Sequence, residues 1–327
     1  SLPAALGIAR AGHHTVDGWK AEHIAWWTEF WRTSWIDLHS LSGDAEYESL
    51  LYAVSMYSLA CSMGGAYPPR FNGGNFLLHR DDRYWDNGYW GQNMRFVYMP
   101  MIAGGHPGFL REYIDWHHDN RDVARIQAVA RHGSRGLMWG ETSQFWGLCE
   151  IGRDHGMYYH FTNNLELCLL MDAYRRSTDD TGYCTSTCAP LIRGVVEFFI
   201  GIAKKLDDGK YHLSPASAVE TWSKALDPLP DIAGLHWLKR MVPEWSSHLG
   251  LDQESDVIWK DFFANLPSIP VGRWRIESIY QDGIHDHRVV HEAIADDDGI
   301  YLPARDVLER PTQRTNMENP ELYVLFP

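Results

Sequence analysis

Cysteine is scarce in this 327-residue chain. The five residues, Cys61, Cys149, Cys168, Cys184 and Cys188, are too few and too scattered for a disulfide scaffold. Cys184 and Cys188, in GYCTSTCAP, lack the second pair that a tetrahedral metal site needs, so buried, idle thiols are expected. Basic charge is short as well: 29 Lys and Arg stand against 43 Asp and Glu, a formal net charge of -14. Phosphate contacts require clustered cations, which argues against nucleic acid and anionic membrane surfaces as partners. No apolar run approaches the roughly 20 residues of a membrane helix, and the expectation is a soluble protein. The chain opens at Ser1 without a basic-then-apolar leader; localisation stays open, a periplasmic or secreted protein with its signal removed included. Internal repeats, low-complexity tracts and clear linkers are missing too, so one domain is expected.

Aromatic residues, by contrast, are abundant, with 15 Trp and 16 Tyr and 13% of the chain aromatic once Phe is counted. Such rings suit packed cores and the flat faces of sugars alike. Helical periodicity dominates. In KAEHIAWWTEFWRTSWIDLHS the apolar Ile24, Trp27, Trp31, Ile36 and Leu38 recur at three-to-five-residue steps. Further helices are expected over 47–63, stopping at Gly64-Gly65, over 90–103, over 107–132 closed by Gly133, and over 157–176, 189–206, 231–249 and 252–266. Strand signals are limited to 210–213, 273–280 and 299–302. Helices without βαβ units give an all-α class.

Long loops separate the helices: 64–88, 133–156, 207–230 and 266 onward. Loops of this length in a compact domain carry function. The first holds Asn72, Asn75, Asp86, Asn87, Gln92, Asn93 and Arg95 beside Tyr84, Trp85, Tyr89 and Trp90, a mixture that fits polyol hydroxyls and a sugar face. Individually these polar groups would serve equally to satisfy the loop's own turns. The second repeats the theme with Trp139, Glu141 and Trp146; Glu141 reads either as a hydroxyl-binding or acid/base group or as a hydrogen-bond partner of a loop amide. The third contains LSPASAVETW, where Glu220 stands near Ala216, Val219 and Trp222. Desolvation there would keep the acid protonated and able to donate to a leaving oxygen; the alternative is an acid on the first turn of a short helix. IHDHRVVHE gathers His285, His287 and His291, but no third-ligand spacing of a known metal site is met. The DDDG at 296–299 lacks the ligand pattern of a calcium loop. Neither a metal nor a cofactor is expected.

The order of these motifs resembles the (α/α)6-barrel glycoside hydrolases, and most closely glycoside hydrolase family 95 and its relatives. HIAWWTEFWRTSWIDL matches the helix entering the barrel, followed by MYSLACSMGGAYPPRFNGGNF and the asparagine-rich loop at RYWDNGYWGQNMRFVYMP. MYYHFTNNLELCLLMDAYRRS, the acid loop HLSPASAVETW, DPLPDIAGLHWLKRMV and ENPELYVLFP follow in the family's order. The resemblance implies an inverting, exo-acting glycosidase with Glu220 as general acid and an oligosaccharide or polysaccharide as substrate. Asn72, Trp85, Asp86, Asn87, Trp90, Gln92, Asn93, Arg95, Trp139, Glu141 and Trp222 would shape the sugar site. Two departures stand out. Gly88 and Trp90 occupy the positions of the family's two water-flanking asparagines, and the family's catalytic base lies beyond its "YGLYP" turn, where this sequence ends. Eight expected helices against the twelve of such a ring imply that further helices follow residue 327. An epimerase or lyase on the same barrel, or a non-catalytic carbohydrate-binding homologue, are the competing expectations.

Overall fold

A computed structural model describes residues 16–71, 88–220, 222–281, 284–292, 299–307 and 319–326, with the side chains of 16, 273–292 and 307 excepted. Nine helices of ten or more residues stand among them: α1 (Val16–Thr33), α2 (Asp44–Ser62), α3 (Gly91–Ala103), α4 (Leu110–Asp119), α5 (Arg121–His132), α6 (Thr162–Ser177), α7 (Ala189–Ile202), α8 (Leu229–Met241) and α9 (Gln253–Ala264). One more appears than the periodicity gave, because the stretch expected as a single helix over 107–132 is divided. Asn120 turns its side-chain amide back onto the Trp116 carbonyl at 2.9 Å and leaves helical geometry between α4 and α5, the local competition that disfavours Asn in a helix interior. Gly133 ends α5 as expected, at φ +69°, with Ser134 N–H reaching back to Ala128 O at 3.1 Å. The first helix stops at Thr33, so Ile36 and Leu38 lie beyond it; Ile24 is exposed and Phe30 is its buried residue.

α6 lies at the centre of the helical layer. It packs on α3, α4, α7 and α8 and buries Leu165, Leu167, Cys168, Leu170, Met171 and Tyr174 on nearly every side, as a helix enclosed by others must. The residues Thr181–Ile202, which include a π-helical turn at Cys184–Cys188 and all of α7, form a continuous 22-residue run apolar enough by composition to cross a membrane. That corrects the expectation of no such segment. Half of the run is buried inside the protein, with Leu191, Ile192, Val195, Val196, Phe198 and Phe199 in the core. Cys149, Cys168, Cys184 and Cys188 are buried free thiols, and Cys61 is a half-buried one.

Strands are confined to the loops. β1 (Tyr89–Trp90) pairs antiparallel with β2 (Thr142–Ser143), and β3 (Lys204–Lys205) with β4 (Tyr211–His212). β5 (Ala216–Ala218), β6 (Trp222–Pro228) and β10 (Ala304–Val307) form one sheet in the order β10-β6-β5. β7 (Val271–Gln281), β8 (Ile284–Glu292) and β9 (Ile300–Tyr301) form another in the order β8-β7-β9. The histidine-rich IHDHRVVHE is therefore strand β8, in register from Arg273↔Glu292 to Gln281↔Ile284. The Asp282-Gly283 dipeptide between β7 and β8 was the sequence signal for that hairpin. Residues 293–298, most of the DDDG segment, lie outside the described residues.

Candidate active site

The β1–β2 ladder joins the first rich loop to the second. Trp90 faces Thr142 across it, and Gly91 N–H donates to Glu141 O at 2.7 Å. The approach is close enough that a Cβ on Gly88 would fall 2.6 Å from Ser143 O. The ladder sets Glu141 against the N-terminus of α3, where Oε1 accepts the Gln92 N–H at 2.8 Å. The side chain thus bonds a backbone amide, but one in the first turn of α3 rather than in a loop. The other carboxylate oxygen, Oε2, lies 2.8 Å from His160 Nδ1, and both side chains are 1% exposed.

His160 sits between a 3-10 turn at Gly156–Tyr159 and α6. Burial works against its charge, but Glu141, with Asp231 and Glu166 behind it, lifts the pKa to about 9. The paired carboxylate thus favours the charged form of the ring, and its Nε2 has no hydrogen-bond partner among the described residues. Asp231, on the first turn of α8, is fully buried and accepts from Thr162 Oγ1 at 2.7 Å; its second oxygen has no partner there. Burial pushes Asp231 up to about 7. It does the same to Glu166, although Arg95 and Tyr323 act in the opposite direction. Glu166 Oε1 accepts from Arg95 Nη1 and from the Tyr323 hydroxyl, both at 2.8 Å. Arg95 is held in turn by Gln92 O, 2.7 Å from its Nε.

Three of the residues read from sequence, Gln92, Arg95 and Glu141, therefore belong to one buried polar network. Its other members, Thr162, His160, Glu166, Asp231 and Tyr323, were missed. The available signal was Thr162, Asn163, Asn164 and Glu166 crowded into the opening turns of an otherwise apolar helix, since buried polar residues are the informative exceptions. Asn164 fastens the second loop by accepting Trp139 N–H at 3.0 Å and donating to Trp139 O at 3.1 Å. The Trp139 ring lies in the core, edge-on to His117 at 5.0 Å. Asn93 and Trp90 are half-buried, on α3 and β1. Asn72, Trp85, Asp86 and Asn87 lie outside the described residues.

Glu220 stands half-buried at the tip of the β5–β6 hairpin, next to the buried Trp222. It is on a hairpin turn and not on a helix. Val219 before it has φ +50°, an outlier for a β-branched residue of the kind that collects at functional sites. The hairpin lies against the turn that leads into His160: Ser217 Oγ donates to Gly156 O at 2.9 Å, and a Cβ on Gly156 would sit 2.7 Å from that of Ser223. Its base is locked by Asp227, which is fully buried and bonded to Leu213 N–H (2.9 Å), His212 Nδ1 (2.6 Å) and Arg305 Nε (2.9 Å). Loops one, two and three thus converge on the neighbourhood of His160, and the turn at Pro320–Leu325 adds Tyr323. Among the described residues no group of three or more His, Cys, Asp or Glu is arranged to hold a metal ion.

No protein-family profile and no curated protein sequence matches the chain. A solved structure described as "Putative kojibiose phosphorylase from human microbiome" superposes with a TM-score of 0.63 at 9% identity, over 81% of this chain. This chain spans 40% of the length of that one. The likeness establishes the fold, an all-α toroid of the (α/α)6-barrel class. It supports that class as a whole and does not reach family 95.

Proposed function

We propose that the chain belongs to a carbohydrate-active enzyme that hydrolyses a glycosidic bond, with Glu220 as the general acid. The observation that carries this reading is the placement of Glu220, on a hairpin strained at Val219 and locked at Asp227, against the turn leading to the buried Glu141–His160 pair. A carboxyl so held can protonate the glycosidic oxygen as the bond to the anomeric carbon breaks, while water supplies the hydroxyl. Glu141, His160, Glu166 and Arg95 form the frame that fixes the loops, and Gln92, Asn93 and Trp222 face the sugar. On the resemblance to family 95 the enzyme is exo-acting and inverting, with a second carboxylate activating water. The substrate is an oligosaccharide or polysaccharide; the acidic surface disfavours nucleic acid and anionic membranes.

The description of the structural neighbour favours a second reading, in which inorganic phosphate replaces water as the nucleophile and the product is a sugar 1-phosphate. Both are tested by incubating the complete protein with kojibiose and a panel of disaccharides, with and without phosphate. Free reducing sugar formed without phosphate supports hydrolysis, and turnover strictly dependent on phosphate supports phosphorolysis. Product that is an unsaturated or epimerised sugar supports a lyase or epimerase. Binding without turnover supports a non-catalytic homologue. The Glu220→Gln variant is expected to lose turnover with its fold intact; near-normal rates would remove Glu220 from the chemistry.

A further inference from the structure

The turn at residues 144–147 holds two large aromatic side chains in water and is braced from three sides. Trp116 Nε1 donates to Phe145 O at 2.7 Å, Gln127 Nε2 donates to Gly147 O at 3.0 Å, and Gly147 N–H closes the turn onto Gln144 O at 2.8 Å. Gly147, at φ +81°, approaches α5's start so closely that a Cβ would meet Asn120 at 2.7 Å. On this rigid mount Trp146 remains 55% exposed, with Phe145 and Tyr67 open beside it. Rings left wet on a backbone fixed in place form a binding platform whose main chain needs no further ordering.

Facing the rings is one flank of α4, with Glu112, Asp115 and Asp119 a helical turn apart, and the space between is a cleft of about 780 Å³. Glu112 accepts from Gly64 N–H at 2.8 Å and from the Tyr98 hydroxyl at 3.0 Å, and Asp115 accepts from the Tyr183 hydroxyl at 2.7 Å. These bonds orient the carboxylates and leave lone pairs toward the cleft. A second cleft, of about 460 Å³, adjoins the first at Gly64, Tyr67 and Phe145 and continues to Tyr89. Tyr89 begins β1, which carries Trp90 to the edge of the Gln92–Glu141 contact.

We propose that this groove binds a neutral oligosaccharide chain, stacked on Trp146 and Phe145 with its hydroxyls donating to Asp115 and Asp119. Aromatic faces opposite fixed acceptors match the alternation of C–H faces and hydroxyl edges on a sugar ring. Acidic glycans are disfavoured by the carboxylates. The inference rests on the carbohydrate reading given above and extends it to a longer glycan held outside the site of bond cleavage.

The test is calorimetric titration of the full chain with neutral tri- to hexasaccharides of the malto, isomalto, xylo and galacto series, and with oligogalacturonides. Trp146→Ala, Phe145→Ala and, as a control on α1, Trp19→Ala are titrated alongside. All three side chains are exposed, so the variants retain the fold. The expected result is binding of a neutral series that weakens at least about tenfold in Trp146→Ala and is unchanged in Trp19→Ala. Equal affinity in Trp146→Ala and wild type overturns the groove and leaves the carbohydrate reading standing. Failure of every neutral series to bind, or tighter binding of oligogalacturonides, also overturns the groove. The carbohydrate reading itself is judged separately, by the turnover assay.

Discussion

Glu141 and His160 make opposite demands on the solvent-free interior, and each is tolerable only because of the other. Removing one partner leaves an uncompensated buried charge, so Glu141→Ala is expected to cost about 3–5 kcal/mol, read as a shift in urea midpoint. The pair also predicts a pH dependence. The His160 pKa is raised to about 9 in the folded protein, above the ordinary histidine value of about 6.5. Its stabilisation is therefore fully present below about 6.5 and is lost as pH rises through about 9. Glu112, Glu166 and Asp231, raised to about 7 by burial, make the folded protein less stable as pH rises from the ordinary carboxylate range through about 7. His132, lowered to about 4 by burial and Arg131, acts with the opposite sign below about 6.5. From pH 7 to 9 the carboxyls near 7 and the buried thiols Cys168, Cys184 and Cys188, raised by burial, titrate alongside His160, so its share is read as the difference between wild type and a variant lacking the ring. Melting temperature is expected to fall across this interval in the wild type and to fall less steeply in His160→Gln; an unchanged slope in the variant would remove His160 as a source. Gln92, Arg95 and Glu141 were legible in the sequence because they stand among aromatics, Glu141 in a long loop and Gln92 and Arg95 on the opening turns of α3 that follow one. His160, Glu166 and Asp231 were not, because each lies in or beside an apolar helix, where a lone polar residue looks like surface until the packing is known.

Helices were the easiest elements to read and their ends the hardest. The α4–α5 division falls at one Asn whose side-chain amide donates to the Trp116 carbonyl a turn earlier, an outcome that periodicity does not distinguish from a continuous helix. Asp252 caps α9 through a 2.7 Å bond from Ser255 N–H, and Asp252→Ala is expected to cost about 1 kcal/mol in chemical denaturation. Gly136 makes a harsher prediction. A Cβ there would lie 2.0 Å from Phe198 N, on a loop already bonded to α7 by Leu137 N–H and Gly194 O at 2.7 Å. Because the obstacle is backbone, Gly136→Ala should lose at least about 3 kcal/mol, the upper end of overpacking effects, or fail to yield folded protein. Gly209→Ala, at a site with nothing within reach of a new Cβ, is strained only by its φ of +75° and should cost about 1–2 kcal/mol. The β5–β6 hairpin was read as loop because its strands are short and its register is broken between Ala216 and Ala218. What orders it is Asp227, whose partners come from β4 and β10, far away in sequence.

Across the whole molecule, the apolar surface is unevenly distributed. Trp19, Trp26, Trp35, Tyr47, Leu50, Val54 and Tyr57 of the α1–α2 region are all exposed, whereas α6, α7 and α8 are enclosed. Exposed apolar side chains gathered on two neighbouring helices are the kind of surface that associates. The 327-residue chain is therefore expected to bind a hydrophobic dye and to self-associate with rising concentration in sedimentation velocity. Replacement of Trp19, Trp35 and Leu50 by Gln should abolish both. The sequence by itself determined the all-α class, the abundance of rings, the acidic charge and the candidate standing of Glu220, Glu141, Gln92 and Arg95, because composition, helical period and loop length are local properties of the chain. Tertiary structure alone decided that Glu141 belongs to His160, that Glu166 is shared by Arg95 and Tyr323, and that Glu220 rides on a hairpin rather than a helix. The Glu141 and Glu166 facts depend on contacts between residues 19 to 157 positions apart, and the burial that shifts the pKa values exists only once the layers have closed around them.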